Sequence, residues 1–184
     1  MMKKFTLSLL LVVLLALSLT PQQTIYANLA QKPTQKGQVA GWKEYISTVG
    51  NFAVMMPSGQ VAEEKSPQIR VKLDVGPRTY GVARLDGFKF AETAQATVEG
   101  AADDFLKTSE GRAIDKLNTP MGGYPGATIK FETQEPPGTT EARFYLVGKY
   151  MYAVIAFTRN GNSQDEATRF LNSFRLLNNQ PSPK

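Results

Sequence analysis

The strongest constraint on the fold is a strict alternation of apolar and charged residues in the run IRVKLDV, which spans residues 69–75. Successive side chains of a β-strand point to opposite faces, so this pattern predicts a strand with one buried face and one solvent-exposed face. Gly76, Pro77 and Arg78 follow and are expected to turn the chain into a second strand over residues 79–85. A connection this short favours an antiparallel hairpin.

Similar patterns predict five more strands. They cover residues 51–56, 113–117, 127–133, 142–147 and 150–157. Gly148 and Lys149 separate the last two strands, and a two-residue connection is typical of a tight hairpin. The last strand is apolar at nearly every position, which predicts that both of its faces are buried and that it lies centrally in the sheet.

Two segments follow the helical period instead. Residues 91–107 place small and apolar side chains, among them Val98 and Phe105, on one stripe, which predicts an amphipathic helix. A second helix is predicted from Ser163 onward, because Ser163 and Glu166 have the spacing of a capping box. The fold class that follows is α+β, with a mostly antiparallel sheet of about six to seven strands flanked by helices.

The N-terminal residues have the pattern of a secretory signal peptide. A short basic start precedes an apolar run over residues 5–19, which is shorter than the roughly 20 residues that span a bilayer as a helix. We predict cleavage after Ala27, and therefore export across the inner membrane to the periplasm, the thylakoid lumen or the medium. Beyond this signal peptide (residues 1–27) we predict three regions. They are a flexible linker over residues 28–41, one domain over 42–177 and a disordered tail over 178–184.

The chain contains no Cys and no His, which restricts its chemistry. Disulfides, thiolate or imidazole metal ligands and a Ser-His-Asp triad are therefore excluded. Adjacent acids are interpreted as solvated, because no spacing resembles a calcium-binding loop. These pairs are Glu63 with Glu64, Asp103 with Asp104, and Asp165 with Glu166. We predict no catalytic residue, no cofactor and no metal site.

The charge pattern favours a surface partner over nucleic acid. Loss of Lys3 and Lys4 with the signal peptide leaves 19 of the 21 basic residues against 16 acids, a net charge of +3. The basic residues are interleaved with acids, so no nucleic-acid partner is expected. A modest basic surface is predicted to meet an acidic protein partner or anionic lipid headgroups, and an ordinary solvated sheet face is the alternative. Its residues are Arg70, Lys72, Arg78, Arg84 and Lys89.

A glycine-rich turn supplies the last candidate contact residue. The run GGYPG over residues 122–126 could expose Tyr124 and nearby backbone N–H groups to a ligand, because glycine permits close approach. The alternative interpretation is a turn that only positions the next strand, which is the usual role of Gly and Pro in such runs.

Four short motifs resemble PsbP-type domains and their DcrB-like exported bacterial relatives. They are NFAVMMP at residues 51–57, GYPG at 123–126, RFYLVG at 143–148 and FLNSF at 170–174. The resemblance covers residues 42–176 and implies an αβα sandwich around an antiparallel sheet. It also implies non-catalytic roles: docking to membrane complexes, assisting their assembly, or retaining ions at the lumenal side of a photosystem. Because the chain has no His, no histidine-centred metal role carries over.

Three functions remain open at this point. The first is an exported, non-enzymatic accessory domain that docks to, or assists the assembly of, a membrane-associated complex such as a photosynthetic one. The second is a carrier with a small-ligand pocket between sheet and helix, and the third is a hydrolase built on two carboxylates. A filled, convex domain would favour docking, an apolar cavity under the helices would favour the carrier, and two buried, facing acids would favour the hydrolase.

Overall fold

The computed structural model of the protein describes residues 41–65 and 68–177. The predicted signal peptide, nearly all of the predicted linker and the predicted tail lie outside these residues. In chain order, the strands and helices are β1 (Trp42–Ser47), β2 (Phe52–Pro57), β3 (Ala62–Glu64), β4 (Ile69–Val75), β5 (Arg78–Leu85), α1 (Ala94–Thr108), β6 (Arg112–Asn118), β7 (Gly126–Gln134), β8 (Pro137–Val147), β9 (Tyr150–Arg159), α2 (Asp165–Ser173) and β10 (Arg175–Leu176).

Seven strands form the main sheet, in the order β3-β4-β5-β9-β8-β7-β6, and every neighbouring pair is antiparallel. Short connections such as residues 76–77 and 148–149 bring consecutive strands side by side. The predicted central position of β9 is confirmed, since three strands lie on each side of it. The predicted α+β class with a mostly antiparallel sheet of about six to seven strands is also confirmed.

The two faces of the main sheet are covered by different elements. On one face lie α2 and a second, three-stranded sheet with the order β1-β2-β10, and the buried cluster there includes Phe52 and Phe170. On the other face lies α1, which contributes Val98 and Phe105 to a separate cluster. The helices therefore flank the sheet on opposite sides, as the predicted sandwich requires.

Aromatic rings fill the space between the layers. Phe105 of α1 packs edge-on against Phe131 and Phe144, with ring centroids 5.7 Å apart in both pairs. On the other face, the rings of Tyr80 and Phe170 lie 5.1 Å apart. Burying a side chain of this size contributes about 1.5–3 kcal/mol, so these contacts hold the helices firmly on the sheet.

The helix starts differ from prediction in their caps. The first helix begins at Ala94, not at residue 91, because the hydroxyl of Thr93 accepts a hydrogen bond from the Ala96 N–H at 3.0 Å and caps the helix there. The predicted capping box of α2 is wrong in detail. Ser163 accepts from the Asp165 N–H at 3.1 Å, but Glu166 does not reach back and instead pairs with Arg78 at 3.0 Å.

Three short strands, β1, β3 and β10, were not predicted from the sequence. The strands β3 and β10 have three and two residues, too few for a period to be visible. The six residues of β1 do not alternate, and their burial is set by the second sheet, in which β1 pairs with β2. Tertiary contacts, not local pattern, thus determine these strands.

Candidate docking surfaces

The predicted basic surface does not form, because its residues are divided between the two faces of the main sheet. Strand pairing places Arg84 opposite Ile69 and Arg78 opposite Val75, whereas Arg70 lies opposite Ala83. Directly opposed residues of antiparallel strands share a face. Arg78 and Arg84 therefore lie on the α2 face, and Arg70 lies on the α1 face together with Lys72.

Arg78 joins the sheet to the start of α2. Its guanidinium pairs with the Glu166 carboxylate at 3.0 Å and donates to the Ser163 carbonyl at 3.2 Å. Burial raises the pKa of the neighbouring Tyr80 to about 12, and the negative charge of Glu166 adds to this shift while Arg78 opposes it. Arg78 thus has a structural role at this position.

Arg84 fastens the turn between β1 and β2 to the main sheet. It donates to the Val49 carbonyl at 2.6 Å, and its guanidinium carbon lies 4.5 Å from the ring centre of Tyr150. The Nζ atom of Lys149 lies 5.3 Å from the same ring centre. Nearby, the hydroxyl of Tyr152 donates to the Gly50 carbonyl at 3.0 Å. Two hydrogen bonds from the main sheet thereby hold this turn in place.

Arg70 and Lys72 lie side by side on β4 but are paired with acids. The Arg70 guanidinium lies 3.7 Å from the Glu64 carboxylate, and the Lys72 ammonium lies 3.0 Å from that of Asp74. In both pairs the acid is about half exposed to solvent, so each pair contributes about 0–1 kcal/mol to stability and leaves little net charge. This face of β4 is of mixed sign, and partner binding by it stays a prediction.

The residue 86–93 connection carries Lys89 between two phenylalanines. Lys89 is exposed, and the rings of Phe88 and Phe90 lie 4.8 Å apart. Phe88 packs against the α1-side cluster, whereas 58% of the Phe90 surface is exposed. Sequence reasoning missed Phe90, although an aromatic residue beside an exposed Lys in a connection is a visible signal.

The structure places Tyr124 in the interior. Only 5% of its surface is exposed, and it belongs to the α2-side cluster. Its backbone N–H and carbonyl groups pair with those of Met121 at 3.0 and 3.1 Å. The expectation that the turn presents Tyr124 to a ligand is therefore wrong, and the alternative interpretation, a turn that positions the next strand, agrees with the structure.

The acidic pairs engage basic and polar neighbours. Asp103 lies 2.7 Å from the Lys116 ammonium, and Glu63 accepts from the Ser47 hydroxyl at 3.0 Å. Across residues 41–65 and 68–177, the structure contains no group of three or more acidic side chains placed to hold a metal ion. Within the same ranges, no helix has the length and apolar character needed to cross a membrane.

Except for Phe174, which joins α2 to β10, the connections lie at two ends of the fold. We call one set the Lys149 end: residues 48–51, 65, 68, 86–93, 119–125 and 148–149. We call the other set the Pro77 end: residues 58–61, 76–77, 109–111, 135–136 and 160–164. The turn held by Arg84, the exposed Phe90 and Lys149 all belong to the Lys149 end.

Comparison with known structures identifies the fold. The structure is similar to that of cyanobacterial PsbP (CyanoP) from Synechocystis sp. PCC 6803, with a TM-score of 0.57 and 10% sequence identity. The similarity covers 79% of this chain and 98% of that one. The chain has a PsbP-like fold. This confirms the fold that the resemblance to PsbP-type domains implies, and at such low identity the similarity of the PsbP-like domain to CyanoP concerns the fold alone.

Two other solved structures are more distantly similar to the PsbP-like domain. The Ran-binding protein Mog1p of Saccharomyces cerevisiae gives a TM-score of 0.48 at 8% identity, covering 74% of this chain and 95% of that one. A protein from Bacteroides thetaiotaomicron gives 0.45 at 15% identity, covering 76% of this chain and 50% of that one. By sequence, neither a protein-family model nor a curated protein matches the chain.

Proposed function

We propose that the PsbP-like domain is an exported, non-enzymatic accessory domain that docks to a membrane-associated protein complex or assists its assembly. The observation that most supports this proposal is the similarity to CyanoP, which extends over 98% of that protein. The roles implied by the PsbP resemblance are surface roles, in which the domain presents a rigid exterior to a partner.

The filled interior supports docking over ligand carriage. A carrier would need an apolar cavity between sheet and helix. The space under α1 is instead occupied by the rings of Phe105, Phe131 and Phe144, and the space under α2 by those of Tyr80 and Phe170. Because rings from both layers are in van der Waals contact, the surface is the part of the domain that is suited to a partner.

Affinity capture tests the docking proposal. Tagged protein spanning residues 28–184 is incubated with detergent-solubilised membranes of the source organism, at low and high salt, and retained proteins are identified by mass spectrometry. We expect one membrane complex to be retained at low salt and released at high salt, since exposed charges are screened.

Two charge-reversal variants test which surface of the domain binds the captured complex. Lys72→Glu alters the α1-side face of β4, and Arg159→Glu makes the same change in charge at the end of β9. Reduced capture by Lys72→Glu alone would support docking through the β4 face. Retention of nothing above a mock control, or equal retention by both variants at both salt concentrations, would reject docking through this face.

A further inference from the structure

Exposed apolar side chains are concentrated at or beside the Lys149 end. Val49 in the 48–51 turn is 50% exposed, Phe90 is 58% exposed and Ile46, just before the turn, is 51% exposed. The other two exposed large apolar side chains, Ile114 and Leu117, lie on the edge strand β6. None of the exposed large apolar side chains in the described ranges lies at the Pro77 end. Single exposed apolar residues are ordinary, but three at one end, two from β1 and its turn and one from the 86–93 connection, are a concentration that calls for an explanation.

The scaffold holds two of these apolar side chains in fixed positions. The Arg84 guanidinium donates a hydrogen bond to the Val49 carbonyl and so holds the turn that carries Val49. The ring of Phe90 packs at a tilt against that of Phe88, which in turn packs against the α1-side cluster. Both side chains are therefore carried by segments that are tied to the main sheet or to the α1-side cluster, so little ordering is required when they meet a partner.

The charges of the two ends differ in sign. The connections of the Lys149 end contain Lys65, Lys89 and Lys149 against Asp86 and Glu92, a net charge of +1. In the Pro77 end the charged residues are Glu110 and Glu135, a net charge of −2. Apolar side chains next to lysines are the combination that favours an anionic lipid surface, where the rings enter the headgroup layer and the ammonium groups meet phosphates.

We propose that the Lys149 end rests directly on an anionic lipid surface, with Val49 and Phe90 in the headgroup layer and Lys89 and Lys149 against lipid phosphates. The inference rests on the proposed function, because it requires that the domain works at a membrane. It nevertheless needs no protein partner, so it can be tested with lipid alone.

Vesicle sedimentation provides the test. Protein spanning residues 28–184 is used because the apolar run over residues 5–19 would bind lipid by itself. This form retains both buried clusters in full, and its fold is checked by circular dichroism. It is mixed with sucrose-loaded vesicles of phosphatidylcholine, alone or with phosphatidylglycerol. We expect about fivefold stronger partitioning to the anionic vesicles at low salt, the ratio that corresponds to one net positive charge near the surface.

Matched variants locate the contact. Val49→Ser with Phe90→Ser removes the apolar pair at the Lys149 end, and Ile114→Ser with Leu117→Ser removes an equally exposed pair from β6. We expect the first pair to reduce binding at least about tenfold, since each apolar side chain in the headgroup layer contributes on the order of 1 kcal/mol or more. The second pair is expected to bind as the unaltered protein does.

Charge variants and fluorescence complete the design. Lys89→Gln with Lys149→Gln is expected to abolish the preference for anionic vesicles, whereas Arg159→Gln leaves it unchanged. Phe90→Trp adds a reporter to a chain whose single native tryptophan, Trp42, is buried at the start of β1. Its emission is expected to shift to shorter wavelength on addition of anionic vesicles.

The outcomes separate this inference from the proposed function. The inference is overturned if the protein does not sediment with anionic vesicles, if the β6 pair weakens binding as much as the Lys149-end pair, or if the emission of the new tryptophan stays constant. If the protein captures a membrane complex but does not sediment with anionic vesicles, the result would support docking to protein and reject contact with lipid.

Discussion

The Lys149 end and the Pro77 end close the same sheet in different ways. At the Pro77 end, Arg78 is used internally, with its guanidinium bound to Glu166 and Ser163 of the segment that starts α2. At the Lys149 end, Arg84 and Tyr152 hold the 48–51 turn by its carbonyl groups, and the turn's own Val49 side chain is left exposed. One end therefore uses its polar groups to fix a helix, and the other uses them to present an apolar surface.

This difference shows how a fold can acquire a binding surface without changing its core. The buried clusters constrain the strands and helices, because core side chains must fill the space between layers. Connections carry no such constraint and can vary in charge and exposure. Tests that disturb one end and leave the other intact therefore show whether the two ends are independent.

The largest effect is expected from Tyr152→Ala. The ring of Tyr152 packs against Phe52 and Phe174, with centroids 6.5 and 5.8 Å away, and its hydroxyl holds Gly50. Truncation removes a fully buried aromatic ring and the support of the 48–51 turn, so we expect the free energy of unfolding to fall by about 3–5 kcal/mol in urea denaturation. Leu117→Ala, on the exposed edge, should cost under about 0.5 kcal/mol. A loss for Tyr152→Ala as small as that for Leu117→Ala would show that the ring contacts at the Lys149 end contribute nothing to stability.

At the Pro77 end, Glu166→Gln should cost about 1–2 kcal/mol. The change removes the counter-charge of Arg78, whose largely buried guanidinium forms an ion pair with the half-exposed Glu166 carboxylate. Asp165→Asn is the matched control, because it removes the same charge from the preceding residue of α2 and so reproduces any effect on the helix dipole. Thermal denaturation compares the two variants, and a similar loss in both would assign the effect to the helix dipole.

The elements of the fold could be predicted from local patterns. The basic surface could not, because it depends on the register of one hairpin. Alternation and short connections are local, so the strands, their antiparallel pairing and the central β9 followed from the sequence. The surface depended on whether Arg78 belonged to the turn. A three-residue connection over 76–78 would set Arg84 opposite Arg70, on one face. The structure has a two-residue connection instead, and a shift of one residue moves every side chain of β5 to the other face.

The contacts and side-chain exposure of the Lys149 end could not be predicted from local patterns for a different reason. The hydrogen bond from Tyr152 to Gly50 joins residues 102 positions apart, and that from Arg84 to Val49 spans 35. No period or spacing indicates such pairs. Exposure of Phe90 and burial of Tyr124 likewise depend on which other elements cover them.

High pH should destabilise the domain through one partly buried and one buried tyrosine, Tyr45 and Tyr80. The pKa values of Tyr45 and Tyr80 are raised from 10.0 to about 12, mainly by burial. Between pH 10 and 12 the unfolded chain therefore loses protons that the folded chain retains, and the free energy of unfolding falls as pH rises. After allowance for solvent screening, we expect a loss of about 1–2 kcal/mol for Tyr80 by pH 12. Urea denaturation at several pH values measures the slope, which Tyr80→Phe should reduce. An unchanged slope in this variant would contradict the assignment to Tyr80.

The smallest effect, and the finest comparison of the two ends, comes from removing single hydroxyl groups. Tyr152 lies three residues into β9 from the Lys149 end, and Tyr80 lies three residues into β5 from the Pro77 end. The Tyr152 hydroxyl donates to the buried Gly50 carbonyl, whereas within the described ranges the Tyr80 hydroxyl makes no well-formed hydrogen bond and lies near the Glu166 carboxylate, which is paired with Arg78.

At neutral pH, Tyr152→Phe is therefore expected to cost about 1 kcal/mol, because it leaves a buried carbonyl without its donor. Tyr80→Phe should change the free energy of unfolding by less than about 0.5 kcal/mol or stabilise the fold, since no bond is lost and a buried polar group is removed. Equilibrium denaturation of the two variants decides between these expectations. The reverse order would mean that the Pro77 end, and not the Lys149 end, depends on a tyrosine hydroxyl for its geometry.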